Sequence, residues 1–297
     1  MGTGLGCSGY ETTGNWYKGN AHLHTTASDG GATAAEAARL YAEAGYDFLF
    51  RTDHWAASDM AGEAEEAPLL WLDGVELDGP DDHGTYYHVA CLGKVAGIER
   101  GMGLTAAMGA AREQGALTVL AHPHWSGNGP ADALRHDFDG VEIYNHVCRW
   151  LNGKGDGLVH WEAMLRSGRN ALAFAVDDAH LRPEHPGYNG GWIVVNARER
   201  EADALLAALR AGRFYSSCGP DFHAIRRDGG RVSVETSSVA FIRLVGPGSE
   251  GARIGSFEGE LFTEASFDLP PEWAYAYVEI EDAHRRRAWT NNLLATP

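Results

Sequence analysis

The sequence predicts an α/β protein, a barrel of parallel strands with crossover helices followed by a small β-rich C-terminal domain. Three observations carry that expectation. Strand-like apolar runs alternate with helical runs through roughly the first 215 residues, the pattern of parallel strands joined by helices. Histidines and carboxylates fall at the ends of successive strand runs, where a parallel barrel opens its mouth. Past SSCGPD (216–221) the texture changes to short alternating runs broken by Gly and Pro.

Strands are expected at 18–24, 46–52, 69–77, 86–92, 117–121, 140–144, 171–176 and 191–195. Between them, ATAAEAARLYAEAG (32–45), TAAMGAAREQG (105–115), LVHWEAMLRSG (158–168) and READALLAALRAG (200–212) carry apolar residues at helical spacing and end in Gly. The later runs RVSVETSS, AFIRLVG, LFTEASFDL and AYAYVEIED read as antiparallel strands. The chain therefore divides into 1–222 and 223–297. The alternative is that the later strands extend the first domain.

The 297 residues suffice for a full core. With 24 Lys+Arg against 41 Asp+Glu, the net charge of −17 argues against a non-specific grip on nucleic acid or an anionic membrane surface. Bound divalent cations would offset part of the excess carboxylate. Cys7, Cys91, Cys148 and Cys218 form no C-x-x-C spacing and read as free thiols of a reducing compartment. The opening residues have no signal-like apolar stretch, and no run approaches the roughly 18 apolar residues of a membrane helix. A soluble, cytoplasmic protein is expected, its oligomeric state left open.

The histidines matter by their placement. AHLHTTASDGG offers His22 and His24, which face the same way on a strand, with Asp29 brought back by the following turn. FLFRTDHWA ends in Asp53 and His54, and LLWLDGVEL places Glu76 in an apolar run, where a carboxylate needs a partner or a metal. TYYHVACLG supplies His88, LTVLAHPHW supplies His122 and His124, and ALAFAVDDAH supplies Asp177, Asp178 and His180. Any one of these has a bland reading as a capping or hydrogen-bonded side chain. Six successive strand ends do not, and so many N/O donors exceed what one four- to six-coordinate ion takes, which points to a cluster of ions.

The ordered set H-x-H-x4-D, T-D-H, G-x-E, H-V-x-x-L-G, A-H-P and D-A-H resembles the PHP superfamily, named for polymerase and histidinol phosphatase, over about 200 residues. WYKGNAHLHTTASDG, AGYDFLFRTDH and RAGRFYSSCGP look closest to its carbaryl-hydrolase-like branch. The resemblance implies a distorted seven-stranded (βα) barrel, TIM-like, with two or three divalent ions of Zn, Mn or Fe. It implies that His22, His24, Glu76 and Asp178 hold one ion, that Glu76, His88 and His122 hold a second with Glu76 bridging, and that Asp29, His54 and His180 hold a third. Arg51 departs from the usual apolar residue before T-D-H, leaving two readings open, an ion pair with a carboxylate or contact with substrate. Only 33 residues separate His88 from His122, too few for an inserted cap, so the mouth is expected to be open.

The implied activity is hydrolysis of a small phosphate mono- or diester by a metal-bridging hydroxide, with a carbamate, ester or amide as the alternative substrate class. A non-catalytic metal-binding or scaffold module is the third reading. No G-x-S-x-G elbow or Cys–His protease context competes with direct attack by water. The leaving-group acid is left open between His124, His146 and a water. Trp55 and Trp125, each just past a ligand motif, are candidates for walls of the substrate pocket beside Arg51. GMG (101–103) and GNG (127–129) read as turns, so no nucleotide cofactor is expected. His83, His136, His160, His185, His223 and His284 read as surface or capping residues.

Overall fold

A computed structural model describes residues 14–60 and 69–295; Cys7 lies outside the described residues. The elements in chain order are β1 (Asn15–Asn20), α1 (Ala34–Glu43), β2 (Phe48–Arg51), β3 (Leu70–Pro80), β4 (Tyr86–Leu92), α2 (Leu104–Glu113), β5 (Leu117–Leu120), α3 (Pro123–Ser126), α4 (Pro130–Ala133), β6 (Gly140–Asn145), α5 (His146–Asn152), α6 (Leu158–Arg166), β7 (Leu172–Val176), β8 (Trp192–Ala197), α7 (Ala202–Arg210) and β9 (Phe214–Ser217). They continue as β10 (Phe222–Asp228), β11 (Arg231–Val239), β12 (Phe241–Val245), β13 (Gly251–Gly255), β14 (Phe262–Asp268), β15 (Tyr277–Glu281) and β16 (Arg287–Thr290).

The helices follow from local chemistry. Thr33 caps α1 in a capping box with Glu36, and the helix buries Ala37, Ala38 and Tyr41. In α2 the buried Leu104, Ala107, Met108 and Ala111 repeat at three and four residues, and α7 buries Leu205, Ala208 and Leu209 the same way. Gly212 ends α7 at φ +68°, a backbone conformation a side chain would resist.

One sheet runs in the order β13-β12-β15-β16-β9-β8-β1-β2-β3-β4-β5-β6-β7. The expected parallel pairing holds for β1–β2, β2–β3, β5–β6 and β6–β7. It fails at β8, which runs antiparallel to β1 and β9, and at β4, which runs antiparallel to both β3 and β5. At β4 the cause is the short connection 81–85, where Asp81 Oδ1 accepts from the backbone N–H of His83 and Thr85 and closes a tight reversal. A parallel neighbour needs a crossover of a dozen residues or more. Past the ends of β1 and β7, the His24 N–H donates to Ala179 O at 2.9 Å and the Asp178 N–H to His22 O at 2.9 Å. That bridge brings the ends of β1 and β7 together.

Phe48, Phe50, Phe174, Val195 and Phe214 form one core on the strands, and Val75, Met108, Trp161 and Met164 form another under α2 and α6. After residue 222 the strands divide. β10, β11 and β14 make a separate three-stranded sheet, whereas β12, β13, β15 and β16 prolong the large sheet through the β9–β16 pairing. Their core, with Phe222, Val234, Ile242, Val278 and Ile280, also takes in Val194 and Tyr215 from β8 and β9. Among the described residues no helix is long and apolar enough to cross a membrane.

Candidate metal centre

All nine residues expected as ligands converge at one end of the strands. His22 and His24 follow β1, His54 follows β2, Glu76 lies in β3, His88 in β4, His122 just past β5, and Asp178 and His180 past β7. Asp29 arrives on the turn after His24. The carboxylate of Glu76, 1% exposed, sits in the middle. Its Oε2 lies 3.1 Å from His22 Nε2, 3.3 Å from His24 Nε2 and 3.3 Å from His54 Nδ1. Its Oε1 lies 2.8 Å from His88 Nδ1 and 3.3 Å from His122 Nε2. Asp178 Oδ1 is 3.0 Å from His24 Nε2 and 3.4 Å from His22 Nε2, and Asp29 Oδ2 is 3.2 Å from His180 Nε2.

These donors fall into three overlapping groups whose atoms lie within 4.8 Å of one another: His22, His24, Glu76 and Asp178; His24, Asp29, His54 and His180; and His54, Glu76 and His88. His122 adjoins the third through Glu76. The arrangement is poorly satisfied as a hydrogen-bond network. His24 Nδ1, His54 Nδ1 and Glu76 Oε2 are buried without an aligned partner, and His22 Nε2 faces His24 Nε2 at 3.2 Å. Buried polar atoms left this way are costly, and the same atoms are the donor set of a divalent metal. The residues present fit such ions.

Electrostatics say the same. Burial alone would lift the carboxyl of Glu76, but His22, His122 and His24 outweigh it and hold it well below the usual carboxylate range. For Asp178 the opposing groups are His22, His24 and His122, with the same result. Burial pulls the His22 imidazole down, yet Asp178, Glu76 and Glu142 drive it well above its ordinary value, and hydrogen bonds to Asp178 and Glu76 push His24 up to about 9. Without metal the cluster holds protons in the place of cations. Metal and protons therefore compete for it.

A second layer holds these side chains. Glu142, 1% exposed in β6, accepts from His22 Nδ1 at 2.6 Å, from the His122 N–H at 2.8 Å and from Asn145 Nδ2 at 2.8 Å. With Nδ1 spent on Glu142, Nε2 of His22 is turned to the cluster. Asp53 accepts from the N–H and hydroxyl of both Thr25 and Ser28, fixing the turn that carries Asp29. Asp177 accepts from the N–H of Asn189, Gly190 and Gly191 and from the Tyr41 hydroxyl. Asp78, absent from the sequence reading, lies 3.1 Å from His54 Nδ1 and is clamped by Arg100 through two bonds of 3.0 Å. Glu142 also went unread, although it interrupts the apolar run GVEIY as Glu76 interrupts its own. His122 (φ +25°), Asp178 (φ +56°) and Trp55 (φ +52°) hold strained backbone here, at about 1–3 kcal/mol each.

A cavity of about 220 Å³ opens on Asp29, His54, Glu76, His88, His122, Asp178 and His180, and is walled by Trp125, Val147, Cys148, Leu151, Arg182 and His185. Of the residues expected to act on substrate, Trp125 is on this wall, edge-on to the His88 and His122 rings. The others stand off it. Arg51 Nε lies 3.4 Å from Asp53 Oδ2, and Trp55 donates to Asp78 O beneath the Arg100 guanidinium. His124 is exposed on α3, and His146 meets the Tyr144 hydroxyl and packs against Gly190. His160, expected at the surface, is buried with Nε2 2.8 Å from Asn128 O, and His185 lines the cavity. Cys91, Cys148 and Cys218 are free thiols.

No protein-family model matches the chain, and no curated protein matches it. Solved structures do. A two-domain protein from Bacteroides vulgatus containing a predicted PHP-like metal-dependent phosphoesterase is similar with a TM-score of 0.54 and 14% identity, over 96% of this chain and 98% of that one. A candidate metal-dependent phosphoesterase from Bifidobacterium adolescentis has a TM-score of 0.39 and 14% identity, over 59% of this chain and 91% of that one. An amidohydrolase from Chromobacterium violaceum has a TM-score of 0.23 and 21% identity, over 57% of each. At 14% identity, the likeness to the Bacteroides protein is one of fold.

Proposed function

We propose that this chain is a metal-dependent hydrolase of the PHP superfamily that cleaves small phosphate mono- or diesters. The single observation that carries the reading is the contact of one buried carboxylate, Glu76, with five imidazoles from four strands. Together with the ordered motifs and the fold likeness, it supports a multinuclear site at the mouth of a distorted seven-stranded barrel, a reading that the Leu23–Ala179 bridge favours. In this reading residues 223–297 form an appended β-rich domain that contributes no ligand.

His22, His24, Glu76 and Asp178 would hold one ion. Glu76, His88 and His122 would hold a second, with His54 in reach, and Asp29, His54 and His180 a third, with His24 in reach. When bound, divalent ions supply Lewis acidity that lowers the pKa of water from about 15.7 toward roughly 7 and polarises the scissile bond. The chain's own part is to fix the geometry: Glu142 orients His22, and Asp53 holds the turn bearing Asp29. Carbamate, ester or amide cleavage is the second reading, favoured by the carbaryl-hydrolase-like fragments around His22, His54 and Phe214.

The test is to reconstitute the protein with Mn²⁺, Fe²⁺ or Zn²⁺ and assay p-nitrophenyl phosphate, bis-p-nitrophenyl phosphate, an aryl carbamate and an aryl acetate side by side. Turnover of a phosphate ester above the others supports the reading. A preference for the carbamate or acetate moves the assignment to the second, and inertness of the metal-loaded protein to the whole panel overturns both.

A further inference from the structure

The wall of the cavity is chemically mixed. Arg182 and His185 line it together with the apolar Trp125, Val147 and Leu151. Arg182 is the one Arg or Lys among the described residues of that lining, in a chain with 41 acidic residues against 24 basic. Its guanidinium, 33% exposed, pairs with Asp29 only at 3.6 Å, Nη2 to Oδ2, too long for a hydrogen bond, so its donors are free to bond a ligand in the cavity it lines.

The segment bearing Arg182 is fixed. Arg182 and His185 exchange backbone hydrogen bonds of 3.2 and 2.9 Å, and Asp177 ties down Asn189, Gly190 and Gly191 at its far end. At its near end the segment lies against Gly31, where an added Cβ would come within 3.0 Å of Arg182 Cγ and 2.7 Å of Leu181 O. A side chain at position 31 would push Leu181 and Arg182 out of this place.

Of the apolar lining, Trp125 and Leu151 are each 40% exposed, and Trp150, which precedes Leu151 and meets the His185 ring at 6.1 Å, is 52% exposed. Large apolar side chains left in water next to a polar site mark a surface that a ligand covers. The space is below the roughly 300–1,000 Å³ of sites for drug-sized ligands, which suits a one-ring or short-chain group.

We propose that the cavity is a two-part substrate subsite, in which Arg182 takes the anionic phosphoryl oxygens and the Trp125–Leu151 wall takes an apolar substituent about the size of a phenyl ring. The substrate class is then the phosphate monoester of a small aromatic or aliphatic alcohol rather than of a sugar or a nucleoside. This rests on the phosphoesterase reading above.

The experiment is calorimetric binding of phenylphosphonate and methylphosphonate to the metal-loaded protein, which reads affinity without turnover. The phenyl compound is expected to bind about tenfold more tightly, a difference of about 1.4 kcal/mol. Leu151→Ser and Trp125→Ala should shrink that ratio toward one while leaving methylphosphonate affinity and metal content unchanged. Arg182→Met should weaken both ligands by about tenfold or more, the scale of one charge-assisted hydrogen bond, with partial recovery in Arg182→Lys. Binding of both phosphonates without preference for phenyl overturns the apolar subsite alone, as does a preference that survives both wall substitutions. Unchanged affinities in Arg182→Met overturn the anion assignment. Failure of either phosphonate to bind with metals in place overturns the phosphoester reading, and the Arg182 assignment falls with it.

Discussion

The mouth of the α/β part and the face of β12, β15 and β16 are both crowded with partly or fully buried carboxylates, yet they are built on opposite logic. On the C-terminal face every acid has an arginine. Arg243 reaches Glu279 at 2.8 Å and Glu281 at 2.9 Å, Arg285 reaches Glu281 at 2.9 Å, and Arg287 spans Glu279 and Asp156. Trp289 Nε1 donates at 2.8 Å to Oε2 of Glu279, the oxygen that Arg287 also reaches. In the mouth the acids face imidazoles, and the imidazoles face one another. The first cluster is complete in itself. The second balances only by taking up cations, either protons or metals.

That contrast breaks if the mouth holds no metal. Protein purified without chelator, or reconstituted with Mn²⁺, Fe²⁺ or Zn²⁺, is expected to carry at least two metal equivalents by elemental analysis. The largest effect should come from Glu76→Gln, which keeps the volume and removes the charge that five imidazoles share. We expect it to strip metal and suppress turnover at least as severely as His180→Ala, with the fold retained. Full metal content in Glu76→Gln would shift the bridge to another carboxylate.

Glu142→Gln should come next. It weakens the partner that orients His22 without touching the cavity, and the loss of such a supporting contact lowers metal affinity by about 10–100-fold. A chelator competition series reads it directly. An unchanged series would show that packing alone sets the His22 ring.

The ranking of these two residues also shows what the sequence could tell. Glu76 was legible because a carboxylate inside LLWLDGVEL has no bland explanation, and because its neighbours fall into an ordered motif. Glu142 sits in an equally apolar run but outside the motif set, so the same signal passed unused. The strands were legible from apolar periodicity to within a few residues, and the reversal at β4 was not, because it turns on hydrogen bonds of Asp81 that the pattern does not encode. The continuation of the large sheet past residue 222 depends on the β9–β16 pairing, a long-range contact between Tyr215–Ser217 and Ala288–Thr290. His124, Arg51 and Trp55 stand out by nearness in sequence to ligands and His146 by following the VEIYN strand, and strand ends turn adjacent residues in different directions.

A smaller effect sharpens the contrast by pH. In metal-free protein His24 is raised from 6.5 to about 9, so its contribution to stability is fully present below pH 6.5 and is lost as pH rises through about 9. The loss is at most about 3 kcal/mol. The depressed carboxyls of Asp29, Glu76 and Asp178 work the other way, contributing above the usual carboxylate range and failing in acid. Thermal melts with chelator should therefore fall between pH 6.5 and 9. Metal-loaded protein should hold level there, because bound ions have replaced the protons. A chelated protein with a flat melting profile over that range would mean that His24 is not protonated in the empty site.

The smallest effect belongs to the other cluster. Arg243→Met removes one cation but leaves Glu281 with Arg285 and Glu279 with Arg287 and Trp289, so neither acid is stranded. Breaking a fully buried pair costs about 3–5 kcal/mol. Arg243 is one-quarter exposed and its acids keep partners, so about 1–2 kcal/mol is expected, including the lost packing of the guanidinium on the Phe241 ring. Metal content and phosphonate affinity should not change, because nothing in this network touches the mouth. Denaturant melts and elemental analysis of the same preparation test both halves at once. If Arg243→Met lowered bound metal, the two regions would be energetically joined through the shared sheet, and the C-terminal strands would be part of the site's support rather than a self-contained neighbour.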